Sequence, residues 1–137
     1  MREKEIKKTA LRLLSLKSYS SLELRKKLNT KGFSEEEIDW VIHECERLKF
    51  LNDQEEAERR TERLKRKGYG PSLIAFKMKK SGLKEKRLSF QEQVAVITAL
   101  LKKETWKKKE PLKKVAALQR RGFDLNCILA VIPVPHL

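Results

Sequence analysis

Glycine, proline, cysteine and histidine are all scarce in this chain: five, four, two and two among 137 residues. Two cysteines, Cys45 and Cys127, cannot form the disulfide framework of a small secreted scaffold. A tetrahedral metal site wants four close ligands. His43 and Cys45 are two apart on a helical pattern and point away from each other, so no metal and no cofactor is expected. No stretch approaches the roughly 20 apolar residues of a membrane span. The opening MREKEIKKTALRLL has no uninterrupted apolar core and no small-residue cleavage site, so no signal peptide is expected and a cytoplasmic protein is the default. Sustained apolar/polar alternation is missing as well, which argues against strands. Acidic residues are scarce in one part only: residues 1–58 hold 12 Lys/Arg and 13 Asp/Glu, whereas residues 59–137 hold 21 and 6.

What is present is a recurring helix end. Ser20 to Ser34, SSLELRKKLNTKGFS, reads as a helix, a Gly stop at Gly32 and the cap of the next helix, with Ser34 and Glu37 forming a capping box. Gly70-Pro71-Ser72 leads in the same way to Ser81-Gly82-Leu83, and Glu110-Pro111-Leu112 leads to Arg121-Gly122-Phe123. When the three glycines are aligned, Leu28, Met78 and Leu118 each precede one by four, and Phe33, Leu83 and Phe123 each follow one. Ser21, Pro71 and Pro111 lie eleven before, where a helix tolerates a residue without a useful N–H. A recurrence at 50 and then 40 residues points to a helical repeat array. The expected fold is all-α: an elongated, curved array of three tandem three-helix repeats, at 1–51, 52–89 and 90–137.

Helical periodicity predicts helices over residues 4–17, from 21 to the Gly32 stop, and 35–48, the last with an apolar face of Ile38, Val41, Ile42, Cys45 and Leu48. A very polar helix over 54–67 follows, with Ala57 and Leu64 as its main apolar positions and most of it wet. Helices are then expected over 71–80, a short one over 84–88, a long one over 90–109 opened by a Ser89/Glu92 capping box, and two more over 111–120 and 124–132.

The basic excess gathers in two clusters and argues for a polyanionic partner. The first offers Arg59, Arg60, Arg63, Lys65, Arg66 and Lys67, joined by Lys77, Lys79 and Lys80. The second offers Lys102, Lys103, Lys107, Lys108 and Lys109, joined by Lys113, Lys114, Arg120 and Arg121. Arg59, Arg63 and Arg66 or Lys67 stack at three- and four-residue steps, a stripe suited to phosphates or to acidic protein. Tyr69 and Trp106 lie beside the clusters and read as half-buried core edges rather than base-stacking platforms.

The order and spacing of these pieces resemble the RecX family, regulators of the RecA recombinase. The resemblance is carried by Ser21-x-x-Leu24-x-x-x-Leu28-x-x-Lys31-Gly32-Phe33, by Ile38 and Val41, by Leu51-Asn52-Asp53 with Ala57, by Gly70-Pro71-x-x-Ile74-x-x-x-Met78-x-x-Ser81-Gly82-Leu83, and by Leu118-x-x-Arg121-Gly122-Phe123 with Ile128. It covers nearly the whole chain. It implies tandem three-helix repeats, binding to the RecA filament on single-stranded DNA, lodging in its groove, and restraint of its ATPase and strand exchange in recombination, repair and the SOS response. The chain departs from the family where Glu56 and Arg60 replace apolar positions around Ala57, and in a short link between the second and third units.

Enzymatic chemistry is not expected. There is no phosphate-binding glycine loop followed by Lys-Ser/Thr, and no Ser or Cys in a nucleophile setting with His and Asp. A helix-turn-helix reader over Leu22–Ile42 is disfavoured, because Glu35, Glu36, Glu37 and Asp39 would face the polyanion. The partners expected are the RecA filament and its single-stranded DNA, with no membrane and a monomeric chain. The alternatives are a stand-alone DNA- or RNA-binding protein and an adaptor for another acidic protein.

Overall fold

The computed structural model describes residues 2–134. Among them the chain forms nine helices and no strand: α1 Glu3–Leu16, α2 Ser21–Thr30, α3 Glu35–Arg47, α4 Asp53–Arg66, α5 Pro71–Lys79, α6 Phe90–Leu101, α7 Glu104–Lys107, α8 Pro111–Arg120 and α9 Leu125–Val131. The all-α expectation is met. The chain divides into two compact units: Met1–Ala57 with Lys79–Lys84, and Glu58–Met78 with Glu85–Leu137. The division cuts α4 after Ala57 and α5 after Met78.

Unit one packs α1, α2 and α3 around one core. Ile6, Ala10 and Leu13 bring the inner face of α1, Leu24 and Leu28 that of α2, and Ile38, Val41, Ile42 and Cys45 that of α3. These are the three- and four-residue steps that place apolar side chains on one stripe. Three helices start on full capping boxes, Ser20 with Glu23, Ser34 with Glu37, and Ser89 with Glu92. Each hydroxyl satisfies an N–H the helix itself leaves unpaired, worth about 1 kcal/mol. The last two boxes are the ones expected; the first is new, because Ser20 stands in a serine-rich break that gave no helical signal.

The recurring turn is found three times. Gly32, Gly82 and Gly122 all have positive φ, at 92°, 69° and 94°. Ser21, Pro71 and Pro111 are each the first helical residue. Leu28, Met78 and Leu118 are 0%, 2% and 0% exposed, and the residues after each glycine, Phe33, Leu83 and Phe123, are buried too.

Unit two is built on α6, α8 and α9, with Ile97, Leu100, Trp106, Val115, Leu118, Phe123, Cys127 and Ile128 in its core. Here two expected helices change. Residues 84–88 form no helix. The Lys86 N–H goes instead to the Thr61 hydroxyl, at 3.2 Å. The long helix expected over 90–109 breaks at Lys102–Lys103, where Lys103 is extended and starts α7. Leu100 and Trp106 are both buried; on one continuous helix they would lie about 120° apart. The break turns Trp106 inward, so it is core and not core edge.

The polar helix α4 is also corrected. It buries Glu56, Ala57 and Thr61, at 4%, 6% and 3% exposed, while Leu64 is half-buried. Arg60 is half-buried as well. The two places where the family pattern asks for apolar residues are thus packed positions filled by polar ones.

One electrostatic contact in unit one has a pH signature. Glu37 accepts from the Arg2 side chain (Nε and Nη2, both 3.2 Å), the Ser34 N–H and the Arg2 N–H. The Arg2 guanidinium first, then these backbone donors, outweigh burial and hold the carboxyl down to about 2 from an ordinary 4.5. A carboxylate depressed in the folded state adds stability that is complete above its unfolded value and drains away as pH falls through its folded value. The window is therefore from about 4.5 down to about 2. Urea midpoints measured across that window should fall less steeply for Glu37→Gln than for the parent chain. Parallel slopes would show that the pair with Arg2 does not form in solution.

Candidate polyanion-binding face

The two basic clusters expected from the sequence come together in unit two, which carries 18 Lys/Arg against 7 Asp/Glu. The link is Arg121. Its Nη1 donates to the carbonyls of Lys67 and Gly68, at 3.3 and 3.2 Å, where the carbonyls following α4 need partners. Its guanidinium carbon lies 5.6 Å from the centre of the Tyr69 ring and 5.5 Å from that of Trp106. Lys77 approaches the Tyr69 ring at 5.0 Å and Lys109 the Trp106 ring at 6.0 Å. Each such cation–ring contact contributes about 0.5–2 kcal/mol. The end of α4, the middle of α5, the short α7 and the end of α8 are therefore joined by alternating cations and aromatic rings.

The remaining predicted residues take up different positions. Arg59, Arg63, Arg66 and Lys67 are exposed along and just past the second half of α4, and Lys77 is exposed on α5. Lys103, Lys107, Lys113 and Arg120 are exposed, and Lys114 is half-buried. Lys80 is exposed but belongs to unit one. Some of these cations are shared with carboxylates: Arg66 with Glu62 at 3.6 Å, and Lys107 with Glu104 at 3.3 Å. Exposed pairs of this kind are worth about 0–1 kcal/mol, so an arriving phosphate displaces them cheaply. Lys65 is different. Burial pulls its ammonium down, but Glu92 and Glu62, at 3.3 and 3.4 Å, outweigh that and hold it above its ordinary range. It ties α4 to α6 within the unit.

Sequence reasoning placed Arg121 and Lys109 in the second basic cluster but missed the double duty of Arg121 and the contact of Lys109 with the Trp106 ring. An Arg immediately before a C-terminal glycine was the available signal, but its aromatic neighbours come from residues 69 and 106, far away along the chain. Trp106, at 6% exposed, has no open face for a base. Any stacking would fall to Tyr69, half-buried and already flanked by two cations.

Neither cysteine is set up as a nucleophile. Cys127 is buried, and burial pushes its thiol up; Cys45 in unit one is in the same state. Thiols held protonated in this way are poor nucleophiles. Among the described residues no three His, Cys, Asp or Glu side chains gather as a metal site would need, and no helix is long and apolar enough to cross a membrane. Fold and face together define an all-helical protein with a cationic, aromatic-braced surface.

Known proteins sharpen that class. The family model for the first three-helix domain of RecX matches residues 7–45. The regulatory protein RecX of Legionella pneumophila (strain Corby) is 32% identical over 136 residues, covering 90% of this chain and 89% of that protein. The regulatory protein RecX of Caldanaerobacter subterraneus subsp. tengcongensis is 28% identical over 133 residues, covering 91% of this chain and 68% of that protein. The crystal structure of RecX from Lactobacillus salivarius superposes with a TM-score of 0.84 over 94% of this chain and 93% of that one, at 21% identity. The chain belongs to the RecX family.

Proposed function

We propose that this chain regulates the RecA recombinase in the cytoplasm by binding its filament on single-stranded DNA, and that it acts without catalytic chemistry of its own. In this reading the three helical repeats at 1–51, 52–89 and 90–137 work as an array. The basic face of unit two engages DNA phosphates and acidic filament surface, and the bound array hinders subunit cycling and entry of a second duplex. The observation that carries the reading is family membership along nearly the whole chain, joined to the cationic face built around Arg121. Recombination and DNA repair are the processes such a regulator would restrain.

The test is a triple charge reversal, Arg63→Glu, Arg66→Glu and Lys67→Glu, assayed for binding to a preformed recombinase filament. All three side chains are exposed, so the fold should survive, as far-UV circular dichroism would check. Each lost contact to a single-strand phosphate removes about 0.7 from the slope of log affinity against log salt. Three losses should flatten the slope by about 2.1 and weaken binding on the order of 100-fold at moderate salt. Unchanged binding with the fold intact would exclude this end of α4 from the interface.

A further inference from the structure

The recurring turn is also a joint. In unit one the Ser20 hydroxyl, at the start of α2, donates to the carbonyl of Ser81 at 2.6 Å. Ser20 lies twelve before Gly32; Ser81 lies one before Gly82. A Cβ on Gly82 would stand 2.9 Å from Leu22, ten before Gly32. In unit two the same positions meet again. The N–H of Gly70, twelve before Gly82, donates to the carbonyl of Arg121, one before Gly122, at 2.8 Å. The N–H of Ser72, ten before Gly82, donates to the Gly122 carbonyl at 3.0 Å. Each helix start is thus covered by the glycine turn that follows it in the series.

The series leaves one turn and one helix start over. A Cβ on Gly32 would meet nothing within 4 Å, and Lys31 and Gly32 are both exposed. The equivalent start, Glu110-Pro111-Leu112 of α8, is exposed at all three residues. Leu112, the counterpart of Leu22, is 64% exposed, and α8 has no side-chain cap. The leftovers match in charge. In both formed joints the residue twelve before one glycine meets the residue one before the next; in the open pair these are Glu110 and Lys31.

We propose that the Lys31–Gly32 turn of one copy of this chain docks on the Glu110–Leu112 start of α8 of a second copy, so that copies associate head to tail. Leu112 would lie over the bare Gly32 as Leu22 lies over Gly82, and Glu110 would face Lys31. Arg2 Nη2 already donates to the Gly32 carbonyl at 3.1 Å, but a carbonyl has two lone pairs, and one remains for the incoming Leu112 N–H. Such an interface joins two different patches, so copies assemble into rings where its rotation closes and into open chains where it does not. The occupant is a second copy because the joint it completes is already made twice inside this chain. The inference is independent of the recombinase reading and departs from the monomer expected from the sequence.

The experiment is sedimentation velocity of the full chain at low salt, from micromolar to millimolar concentration. The expected result is an average mass that climbs above the monomer as concentration rises. Leu112→Arg should weaken association at least tenfold. Glu110→Lys and Lys31→Glu should each weaken it several-fold alone, and an equimolar mixture of the two should recover it, since each then offers the other an opposite charge at both patches. Far-UV circular dichroism guards against unfolding, although all three side chains are exposed. A chain that stays monomeric throughout overturns the proposal. So does association that ignores Leu112→Arg, which would place it elsewhere, and so does a mixture no stronger than its parts, which would leave these patches to a different partner.

Discussion

Gly70→Ala is expected to unfold unit two under conditions where the parent chain is folded. Gly70 has an ordinary negative φ, so the cost is not conformational. It is steric: a Cβ there would lie 2.4 Å from the Phe123 nitrogen and 2.5 and 2.7 Å from the carbonyl carbon and oxygen of Gly122. All three neighbours are backbone, and backbone cannot swing aside as a side-chain tip can. Relief requires pulling the start of α5 off the α8–α9 turn, which breaks the Gly70 and Ser72 hydrogen bonds to Arg121 and Gly122 and loosens the Arg121 bridge. A loss of about 3–5 kcal/mol is expected, among the largest single-residue effects, against a total of about 5–15 kcal/mol for a domain. Gly32→Ala is the control. Gly32 has φ 92° but open space around it, so only the left-handed backbone cost of about 1–2 kcal/mol applies. Chemical denaturation of both variants separates the two mechanisms. Equal losses would show that the Gly70 contact relaxes in solution.

Gln93→Leu should cost about 3 kcal/mol although it swaps a polar side chain for an apolar one of similar size. Gln93 is 1% exposed. Its amide nitrogen donates to the Leu88 carbonyl at 3.3 Å and to the Asp124 carboxylate at 2.9 Å, and its amide oxygen accepts the Asp124 N–H at 3.0 Å. Asp124 is the residue that starts α9. Leucine would leave buried backbone groups unpaired and remove the fixed partner of a carboxylate, and a lost partner costs more than a formed bond gives. Asp124 would keep only Arg87, whose Nη2 lies 3.2 and 3.1 Å from its two oxygens. Thermal unfolding should show the loss, and Gln93→Glu should do no better, because its carboxylate would face that of Asp124. A neutral Gln93→Leu would mean that water replaces the amide.

These two residues mark where reading the sequence stops. Helix periods and glycine stops are local, so the nine-helix total, the three turns and their buried neighbours were legible from spacing. The total agreed partly by compensation, since the helix expected over 84–88 did not form and the one over 90–109 became two. The first difference goes with the Lys86 N–H turning to the Thr61 hydroxyl, and the second with the burial of Leu100 and Trp106, which one straight helix would set about 120° apart. In the sequence Gly70 only opens the second occurrence of the recurring stretch, before Pro71; its reason for being glycine lies 52 residues away in Gly122. The basic stripe on α4 was legible as charge at helical spacing. The bracing of that stripe by Arg121 between Tyr69 and Trp106 was not, because no local pattern announces which carbonyls a distant arginine will reach.

The most direct test of the account is the single-stranded-DNA-dependent ATPase of the host recombinase, followed while this protein is titrated well below one copy per recombinase subunit and with DNA in excess. The account predicts marked inhibition at that ratio, because a protein lodged on a filament affects many subunits, whereas one that merely competes for DNA must first cover it. The Arg63, Arg66 and Lys67 reversal should lose that inhibition. Full ATPase activity at every ratio, together with tight and steeply salt-dependent binding to bare DNA, would contradict the account and leave a stand-alone nucleic-acid-binding protein in its place.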